Sequence, residues 1–281
     1  MPNHAAQRVA IVTGANTGIG RVTAEVLAKS GMRVYLACRS KAKTEPVIAA
    51  LNAAAGDERA RFLPLDLASL ASVREAAAAF LATGDRRHLL VNNAGLAGQR
   101  GQTADGFETH FGVNHLGPYL FTELLLPRLR ESAPARVVIV ASRAHTRVRD
   151  VGLDAVRRPT PSMTGFRQYA QSKLANVLWA RELGARLSGS GVTTYAVHPG
   201  VIASDIWRRV PPPFRFLAKL FMKNNEEGAA TSLYCATDAA LAQHTGRYYT
   251  DCRETTPGVA ARSDALAAEL RARCDGWAGL A

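Results

Sequence analysis

The sequence predicts an α/β fold in which helices cover both faces of one parallel sheet. Short apolar runs, which indicate buried strands, alternate along the chain with segments of helical spacing. The runs are apolar throughout, as expected for strands buried on both faces, and the connections between elements are short. We therefore expect a single domain over residues 1–281 with a Rossmann-type doubly wound parallel sheet of about seven strands, in the order 3-2-1-4-5-6-7.

The individual elements are predicted from the same pattern. The predicted strands cover 9–13, 33–38, 62–66, 88–92, 136–141 and 192–197. The predicted helices cover 22–29, 41–55, a segment that ends at Phe80, 107–130 and 169–187. Two segments interrupt the alternation. Residues 147–168 are predicted to form a long loop. Residues 204–225 contain three consecutive prolines followed by an amphipathic stretch. Long insertions in compact α/β domains often cover a binding site, so 204–225 is predicted to be a substrate lid within the domain.

Composition and charge narrow the possible function classes. Of the 281 residues, 47% are hydrophobic and 21% are charged, a balance typical of globular proteins. The net charge is +12, but the basic residues are scattered, so we expect a solvated Arg-rich surface and no nucleic-acid partner. The four cysteines lack metal-type spacing, which predicts reduced thiols and no metal site. The first residues form no apolar signal core and no apolar run has spanning length, so we expect a cytoplasmic protein.

A glycine-rich segment, Thr13 to Gly20 (TGANTGIG), lies between the first predicted strand and the first predicted helix. Glycines allow a tight turn and the close approach of a phosphate to the backbone, and a helix N-terminus stabilises the anion. The spacing differs from the common GxGxxG fingerprint, and such a segment alone could be an ordinary turn. Its position between a strand and a helix favours a dinucleotide site.

The end of the second predicted strand indicates which dinucleotide binds. An acidic residue at this place would hydrogen-bond the ribose hydroxyls and repel a 2′-phosphate. The segment instead contains Arg39, with Lys41 and Lys43 nearby. Because a guanidinium can bind a phosphate through two donors, NADP(H) is predicted as the cofactor. The alternative is that Arg39 is a solvated or stacking residue.

A second motif, Tyr169 to Lys173 (YAQSK), begins a predicted helix. The i,i+4 spacing places both side chains on one helix face. A free phenol has a pKa of about 10, which makes it a poor base at neutral pH. A nearby ammonium stabilises the phenolate and lowers that pKa, so the pair predicts general acid–base chemistry.

In chain order, these motifs resemble those of the short-chain dehydrogenase/reductase family. In that family TGxxxGIG is the cofactor turn, and Asn92 to Gly95 is similar to its NNAG motif. Asp66-Leu67 resembles its adenine-contacting pair, and Pro199-Gly200 resembles its turn at the nicotinamide. The resemblance implies cofactor contacts by Gly14, Asn16, Thr17, Gly18, Ile19, Gly20, Arg39, Asp66, Leu67, Asn93, Ala94, Gly95, Tyr169, Lys173, Pro199, Gly200, Ile202 and Ser204.

The resemblance also implies four catalytic residues, which are Asn114, Ser142, Tyr169 and Lys173. Hydride passes between the nicotinamide and a carbonyl carbon, while Tyr169 transfers the proton. Ser142 binds the substrate oxygen, Lys173 holds the ribose hydroxyls and tunes Tyr169, and Asn114 supports a water path to the lysine. His145 and His198 flank the predicted site and are expected to be hydrogen-bonded structural residues.

Longer strings resemble the retinol dehydrogenase-like group of this family, among them 37–39, 114–117, 142–145, 172–178 and 191–200. The resemblance implies an NADP(H)-dependent oxidoreductase that interconverts a carbonyl and an alcohol on a lipophilic small molecule. The chain departs from the group in two respects. It starts almost at the first strand, where many members carry a membrane anchor, and Ala141 stands where a serine is usual. The named substrate is therefore not carried over.

Several alternatives remain open. The apolar and basic residues of 206–223 fit a lid over a lipophilic substrate, a helix on an anionic membrane, or an amphipathic helix packed on the protein. The protein could also bind NADP(H) as a sensor or membrane-docking protein without turnover, or reduce a conjugated double bond. The resemblance further implies a homo-oligomer through the helices at 107–130 and 169–187, although relatives with long C-terminal extensions include monomers.

Overall fold

The computed structural model describes residues 8–161, 163–200 and 224–280. In these residues one eight-stranded sheet has the order β3-β2-β1-β4-β5-β6-β7-β8. The strands are β1 (Val9–Thr13), β2 (Arg33–Cys38), β3 (Ala60–Pro64), β4 (Leu89–Asn92), β5 (Ala135–Val140), β6 (Val192–His198), β7 (Arg247–Thr250) and β8 (Arg253–Glu254). All neighbours pair in parallel except β7 and β8, which are antiparallel. The predicted order of seven strands is confirmed, and the structure adds a short eighth strand at the edge.

Helices connect the strands on both sides of the sheet. They are α1 (Gly18–Lys29), α2 (Lys41–Ala55), α3 (Leu70–Ala82), α4 (Thr109–Phe111), α5 (Gly117–Glu131), α6 (Phe166–Arg186), α7 (Asn225–Thr237) and α8 (Asp264–Ala278). One face of the sheet packs against α3, α5, α6 and α8, and the other packs against α1, α2 and α7. The strands are therefore buried on both faces, which explains their continuous apolar sequence.

The helix predicted over 107–130 is not continuous. The structure divides it into α4, a π-helical turn at Gly112–Leu116, and α5. Two glycines flank this turn, and each is in close contact with a neighbouring segment. A Cβ at Gly117 would lie 2.5 Å from the Leu67 carbonyl oxygen, and one at Gly112 would overlap Thr103. π-turns within helices are frequent at functional sites, and this one contains Asn114.

Two other helices begin earlier than their sequence pattern predicts. α1 begins at Gly18 instead of residue 22, because the glycine-rich turn itself provides the first helical residues. α6 begins at Phe166 instead of Tyr169, after Gly165 with φ +63° as its N-cap. β3 also lies two residues earlier than the predicted 62–66. Tyr169 is therefore one turn inside its helix.

The topology brings the predicted motifs to one edge of the sheet. β1 lies between β2 and β4, so the direction in which strands are added reverses there. Ligands of open α/β sheets bind at the carboxyl ends of the strands near such a reversal. The ends of β1, β4, β5 and β6 are followed by the glycine-rich turn, Asn93 to Gly95, Ser142 and Pro199-Gly200, respectively.

Candidate active site

The glycine-rich turn is tied directly to the segment that follows β4. The Thr13 hydroxyl accepts hydrogen bonds from the backbone N–H groups of Asn93 (3.0 Å) and Ala94 (2.9 Å). The Asn93 side-chain amide donates to the Thr13 carbonyl at 2.9 Å. A Cβ at Gly20 would lie 2.5 Å from the Gly14 carbonyl oxygen and would also overlap the Asn93 amide. Only glycine fits at residue 20.

The end of this turn forms the N-terminus of α1, which has no side-chain cap. Gly14 has φ +66° and Gly18 has φ +56°, values that glycine adopts at little cost. Thr17 is the N-cap residue of α1, and its side chain makes no capping hydrogen bond to the helix. The first N–H groups of a helix need acceptors, and a phosphate can provide them. A tight backbone turn with a helix N-terminus and no room for a Cβ fits a dinucleotide phosphate.

The adenosine end of the predicted cofactor site lies beside β2 and β3. The Arg39 side chain follows β2, is 77% exposed, and lies 4.0 Å from the Asp66 carboxylate. Asp66 accepts a hydrogen bond from the Ala68 N–H at 3.0 Å, which fixes its carboxylate. Leu67 is buried, and its carbonyl lies against Gly117. The structure therefore places the three predicted residues of this end close to one another.

The four predicted catalytic residues also lie together. The ammonium nitrogen of Lys173 lies 5.7 Å from the centre of the Tyr169 ring. The Tyr169 and Ser142 side chains are hydrogen-bonded to each other. The Asn114 amide bonds the Leu96 backbone in both directions and donates to the Ser172 hydroxyl at 3.0 Å. A Cβ at Gly95 would lie 3.3 Å from the Lys173 nitrogen and 3.4 Å from Asn114, so the predicted cofactor and catalytic residues form one site.

Burial is the main cause of the pKa shifts of Lys173 and Tyr169. Burial lowers the pKa of Lys173 to about 8. Burial also raises the pKa of Tyr169, and the hydrogen bond from Ser142 only partly opposes this effect. The pKa of Tyr169 is thus shifted opposite to the lowering expected from an adjacent ammonium. Burial is the largest cause of this shift, and the hydrogen bond that Lys173 donates goes to the Val140 carbonyl (2.9 Å).

A buried acidic group near Tyr169 was not found by sequence reasoning. Glu108 accepts hydrogen bonds from His110 (2.8 Å) and the Thr160 hydroxyl, and the pKa of its carboxyl is below the ordinary value despite burial because of these bonds. The His110 ring lies 6.3 Å from the Tyr169 ring. Glu108 and His110 are two residues apart, which is not a recognisable catalytic spacing, so the sequence carried little signal for this pair.

The two histidines that the sequence placed near the site have different surroundings. His145 donates from Nδ1 to the Ser142 carbonyl (2.7 Å) and accepts from the Gly258 N–H (3.0 Å) through Nε2. This arrangement confirms the expected structural position of His145 beside Ser142. His198 is buried at the end of β6 and is followed by Pro199 and Gly200, with φ +93° at Gly200.

Part of the predicted site lies outside the described residues. This applies to Ile202, Ser204 and residues 204–223 of the predicted lid, so the three alternatives for 206–223 stay predictions. The last two residues of the predicted lid belong to the start of α7. Asn224 caps α7 in a capping box with Glu227, and the Asn225 side chain lies 3.8 Å from the position of a Cβ at Gly18. The last residue of the predicted lid therefore lies beside the glycine-rich turn.

Two features of the described residues concern membrane spanning and metal binding. None of the helices in the described ranges is both long and apolar enough to cross a membrane. Among these same residues, no group of three or more potential ligands is arranged to hold a metal ion. The predictions about compartment and peripheral membrane contact are not tested by these observations.

The fold and this site together define a Rossmann-type oxidoreductase. The family model for short chain dehydrogenases matches residues 8–213. Dehydrogenase/reductase SDR family member 13 from Bos taurus is 47% identical over 272 residues, covering 94% of this chain and 71% of the relative. Retinol dehydrogenase 12 from Homo sapiens is 44% identical over 274 residues, covering 94% and 84%. The RhlG/NADP complex from Pseudomonas aeruginosa is 26% identical with a TM-score of 0.70, covering 93% of this chain and 99% of that chain.

The chain belongs to the short-chain dehydrogenase/reductase family and is related to the retinol dehydrogenases. The resemblance seen in the sequence is thereby confirmed. Membership identifies the protein as an oxidoreductase that acts on an alcohol or carbonyl group with a nicotinamide cofactor. The choice between NAD and NADP and the substrate are finer questions, which depend on individual residues.

Proposed function

We propose that this protein is an NADP(H)-dependent oxidoreductase that interconverts a carbonyl and an alcohol on a lipophilic substrate. The observation that carries the proposal is the assembly of Tyr169, Ser142 and Lys173 beside Gly95 and the glycine-rich turn. These side chains come from α6, β5 and the β4 end, and they meet at the edge of the sheet where the phosphate-binding turn lies. A binding-only protein has no need for this arrangement of proton-transferring groups.

Each residue has a distinct role in this proposal. Tyr169 moves a proton at its phenol oxygen, and the Ser142 hydroxyl, already hydrogen-bonded to the phenol, positions the substrate oxygen beside it. Lys173 holds ribose hydroxyls and stabilises the phenolate, and Asn114 supports a water path towards Lys173. When bound, the nicotinamide supplies or accepts the hydride. The protein contributes alignment, because its buried hydrogen bonds hold these groups at fixed positions.

The cofactor would be held by the residues whose positions fit it. The glycine-rich turn and α1 would bind the diphosphate through Gly14, Asn16, Thr17, Gly18, Ile19 and Gly20. Asp66 and Leu67 would contact the adenine, and Asn93, Ala94 and Gly95 would contact the adjoining ribose and nicotinamide side. Pro199 and Gly200 would border the nicotinamide, together with Ile202 and Ser204 from outside the described residues.

Arg39 supports NADP(H) over NAD(H). Its guanidinium is largely exposed at the end of β2, and its nearest described carboxylate, Asp66, is 4.0 Å away and therefore only loosely paired. A free guanidinium at this place can bind a 2′-phosphate. We expect Arg39→Ala to weaken NADPH binding at least tenfold and to leave NADH binding unchanged, measured by cofactor fluorescence. Arg273→Ala, at an exposed arginine of α8, is the matched control. Equal affinities of the native protein for both cofactors would contradict the NADP(H) assignment.

Apolar side chains around the site support a lipophilic substrate. Phe166 is 53% exposed and its ring lies 6.5 Å from the Tyr169 ring, and the nearby Met163 is 81% exposed. The relationship to a retinol dehydrogenase points to the same kind of substrate. We expect Phe166→Ser to reduce kcat/KM for long-chain aldehydes more than for short ones. Val26→Ser, at a 42% exposed valine on α1, is the control that should leave this preference unchanged. Loss of activity without a change in the preference would count against the lipophilic assignment.

The class of reaction is tested by NADPH and NADH consumption with a panel of lipophilic aldehydes and ketones that includes retinal. NADPH-dependent turnover that Tyr169→Phe abolishes would support the proposal. Turnover only with conjugated double bonds would favour the double-bond reductase, and tight NADPH binding without turnover would favour a sensor.

A further inference from the structure

A series of buried polar side chains connects the C-terminal helix to Lys173. The Cys274 sulfur on α8 lies 3.5 Å from His115 Nε2. The other ring nitrogen of His115, Nδ1, lies 3.0 Å from Asn176 Oδ1. The Asn176 amide nitrogen donates to the carbonyls of Asn114 (3.1 Å) and Val140 (3.2 Å). All five residues are at most 7% exposed. We call Cys274, His115 and Asn176 the polar series.

The hydrogen bonds of this series have one consistent direction. Because the Asn176 amide nitrogen donates to two carbonyls, its Oδ1 must be the acceptor for His115. His115 therefore carries its proton on Nδ1, and Nε2 accepts from the Cys274 thiol. Burial lowers the pKa of His115 to about 4 and raises the pKa of Cys274 above its ordinary value, so both groups are neutral at pH 7. The two bonds to carbonyls thus set the orientation of the Asn176 amide, and a neutral His115 with its proton on Nδ1 matches that orientation.

The two carbonyls that accept from Asn176 border the predicted catalytic lysine. The Val140 carbonyl, at the end of β5, also accepts the hydrogen bond from Lys173 Nζ at 2.9 Å. The Asn114 carbonyl belongs to the π-helical turn, and the Asn114 side-chain amide lies beside Gly95 and Lys173. One amide group therefore joins β5 to the π-turn across the site. The Val140 carbonyl is thus shared between the Asn176 amide and Lys173.

We propose that Asn176 is a positioning residue of this active site: its amide holds the Val140 and Asn114 carbonyls and thereby fixes the place and the ionisation of the Lys173 amine. This inference rests on the proposed function, in which Lys173 serves Tyr169. By occupying acceptor lone pairs, the amide limits the hydrogen bonding available to the charged form of Lys173. Hydrogen bonding to a charged form favours that form, so the amide favours the neutral amine.

Within residues 8–161, 163–200 and 224–280, few titratable groups face Lys173. Tyr169 lies on its own helix, and His115 faces it from the π-turn, with Cys274 of α8 behind His115. β5 contributes the Val140 carbonyl, and Ser142 follows two residues later; neither group carries a charge. With His115 and Cys274 neutral, a change in the Asn176 amide acts on Lys173 with little interference from neighbouring charges.

The proposal is tested by the titration of Lys173 in the full-length protein. The sequence contains six lysines, so a protein labelled with carbon-13 at lysine Cε gives six signals by NMR. Lys173→Arg identifies the signal of interest. We expect Asn176→Leu, which removes both donors, to raise the Lys173 pKa by about one unit. We expect Asn176→Ala, which also removes both donors and introduces no charge, to shift it in the same direction.

A matched control separates positioning from general support of the fold. The Asn52 amide also bridges backbone groups, since it accepts from the Ala60 N–H (2.7 Å) and donates to the Ala60 carbonyl (3.1 Å), far from the site. Asn52→Leu should lower the melting temperature and leave the Lys173 titration unchanged. If Asn176→Leu does not fold, Asn176→Ala decides the question, because alanine is a strong helix former, fits within the same space and introduces no charge.

The outcomes distinguish this inference from the proposed function. A Lys173 titration that is the same in both Asn176 variants and the native protein overturns the positioning role, whatever the activity. A shifted titration with NADPH-dependent turnover supports both ideas, and the alkaline limb of the pH–rate profile should then move by the same amount. A shifted titration in a protein that reduces no carbonyl supports the role of Asn176 and rejects the proposed function.

Discussion

Acidification should destabilise this protein through His115. The side chain is fully buried among Phe111, Tyr119 and Trp179, and burial lowers its pKa from 6.5 to about 4. In the unfolded chain His115 binds a proton below pH 6.5, whereas in the folded protein it does so only near pH 4. The stabilisation that comes from a neutral His115 is therefore complete above pH 6.5 and is lost as the pH falls towards 4.

The magnitude follows from the difference between the two pKa values. One pKa unit corresponds to about 1.4 kcal/mol. Between pH 6.5 and pH 4.5 the unfolded chain binds a proton at His115 and the folded protein largely does not, over nearly two pH units. The free energy of unfolding therefore falls by about 2.5 kcal/mol because of this one residue. Burial also lowers the pKa values of His88 and His145, so these residues act in the same direction. The effect of His115 must therefore be measured as the difference between the native protein and a variant that lacks this histidine.

His115→Phe provides that difference, because a phenyl ring fits among the three aromatic neighbours and does not titrate. The free energy of unfolding of both proteins would be measured by urea denaturation between pH 7.5 and pH 4.5. The variant loses the hydrogen bond to Asn176, which lowers its stability by a constant amount. On acidification, the native protein should lose about 2.5 kcal/mol more than the variant. Parallel pH dependences of the two proteins would refute the assignment of a neutral, buried His115.

Four further predictions concern the glycine-rich turn, helix α8, the interior and the outer face. Gly20→Ala should abolish NADPH binding by fluorescence and lower stability, because its Cβ overlaps Asn93. Gly276→Ala should raise stability by about 0.5–1 kcal/mol, since the Cβ enters open space within α8; the opposite results at the two glycines would contradict the packing described. Arg87→Met should stabilise the fold by on the order of 1–4 kcal/mol in urea titrations, because its guanidinium is fully buried and no described residue accepts from it; a less stable variant would reveal a partner. Light scattering should give the mass of one chain, because α8 packs against α6 and its Asp275 accepts a hydrogen bond from Tyr119 of α5; a dimer would require another surface.

Much of the fold could be predicted from the sequence because its signals are local. The apolar strands, the glycine-rich turn and the Tyr169–Lys173 spacing are each contained in a few consecutive residues. The order of the strands follows from the alternation of strands and helices, which is typical of a doubly wound sheet. The four predicted catalytic residues come from three separate segments, which are the π-turn, the end of β5 and α6. They could be listed only because each has a recognisable local string.

The π-turn could not be predicted, since it depends on contacts between distant segments. Residues 112–116 have the same apolar spacing as an ordinary helix. The close contacts of Gly112 with Thr103 and of Gly117 with Leu67 are visible only in three dimensions. The direction of the Tyr169 pKa shift was missed for the same reason, because it depends on how much protein surrounds the phenol and on which acceptor Lys173 uses.

The burial of α6 explains why these long-range contacts matter for the site. Eleven consecutive residues of this helix, 170–180, are buried, because the sheet covers one side and α8 covers another. Polar side chains in such a helix must find partners within the protein, since an unpaired buried donor costs about 1–3 kcal/mol. Ser172, Lys173 and Asn176 find them in the π-turn and at the end of β5. The same requirement that stabilises the helix therefore fixes Lys173 relative to Tyr169, and α8, which has no residue in the predicted site, contributes to this geometry through Cys274 and His115.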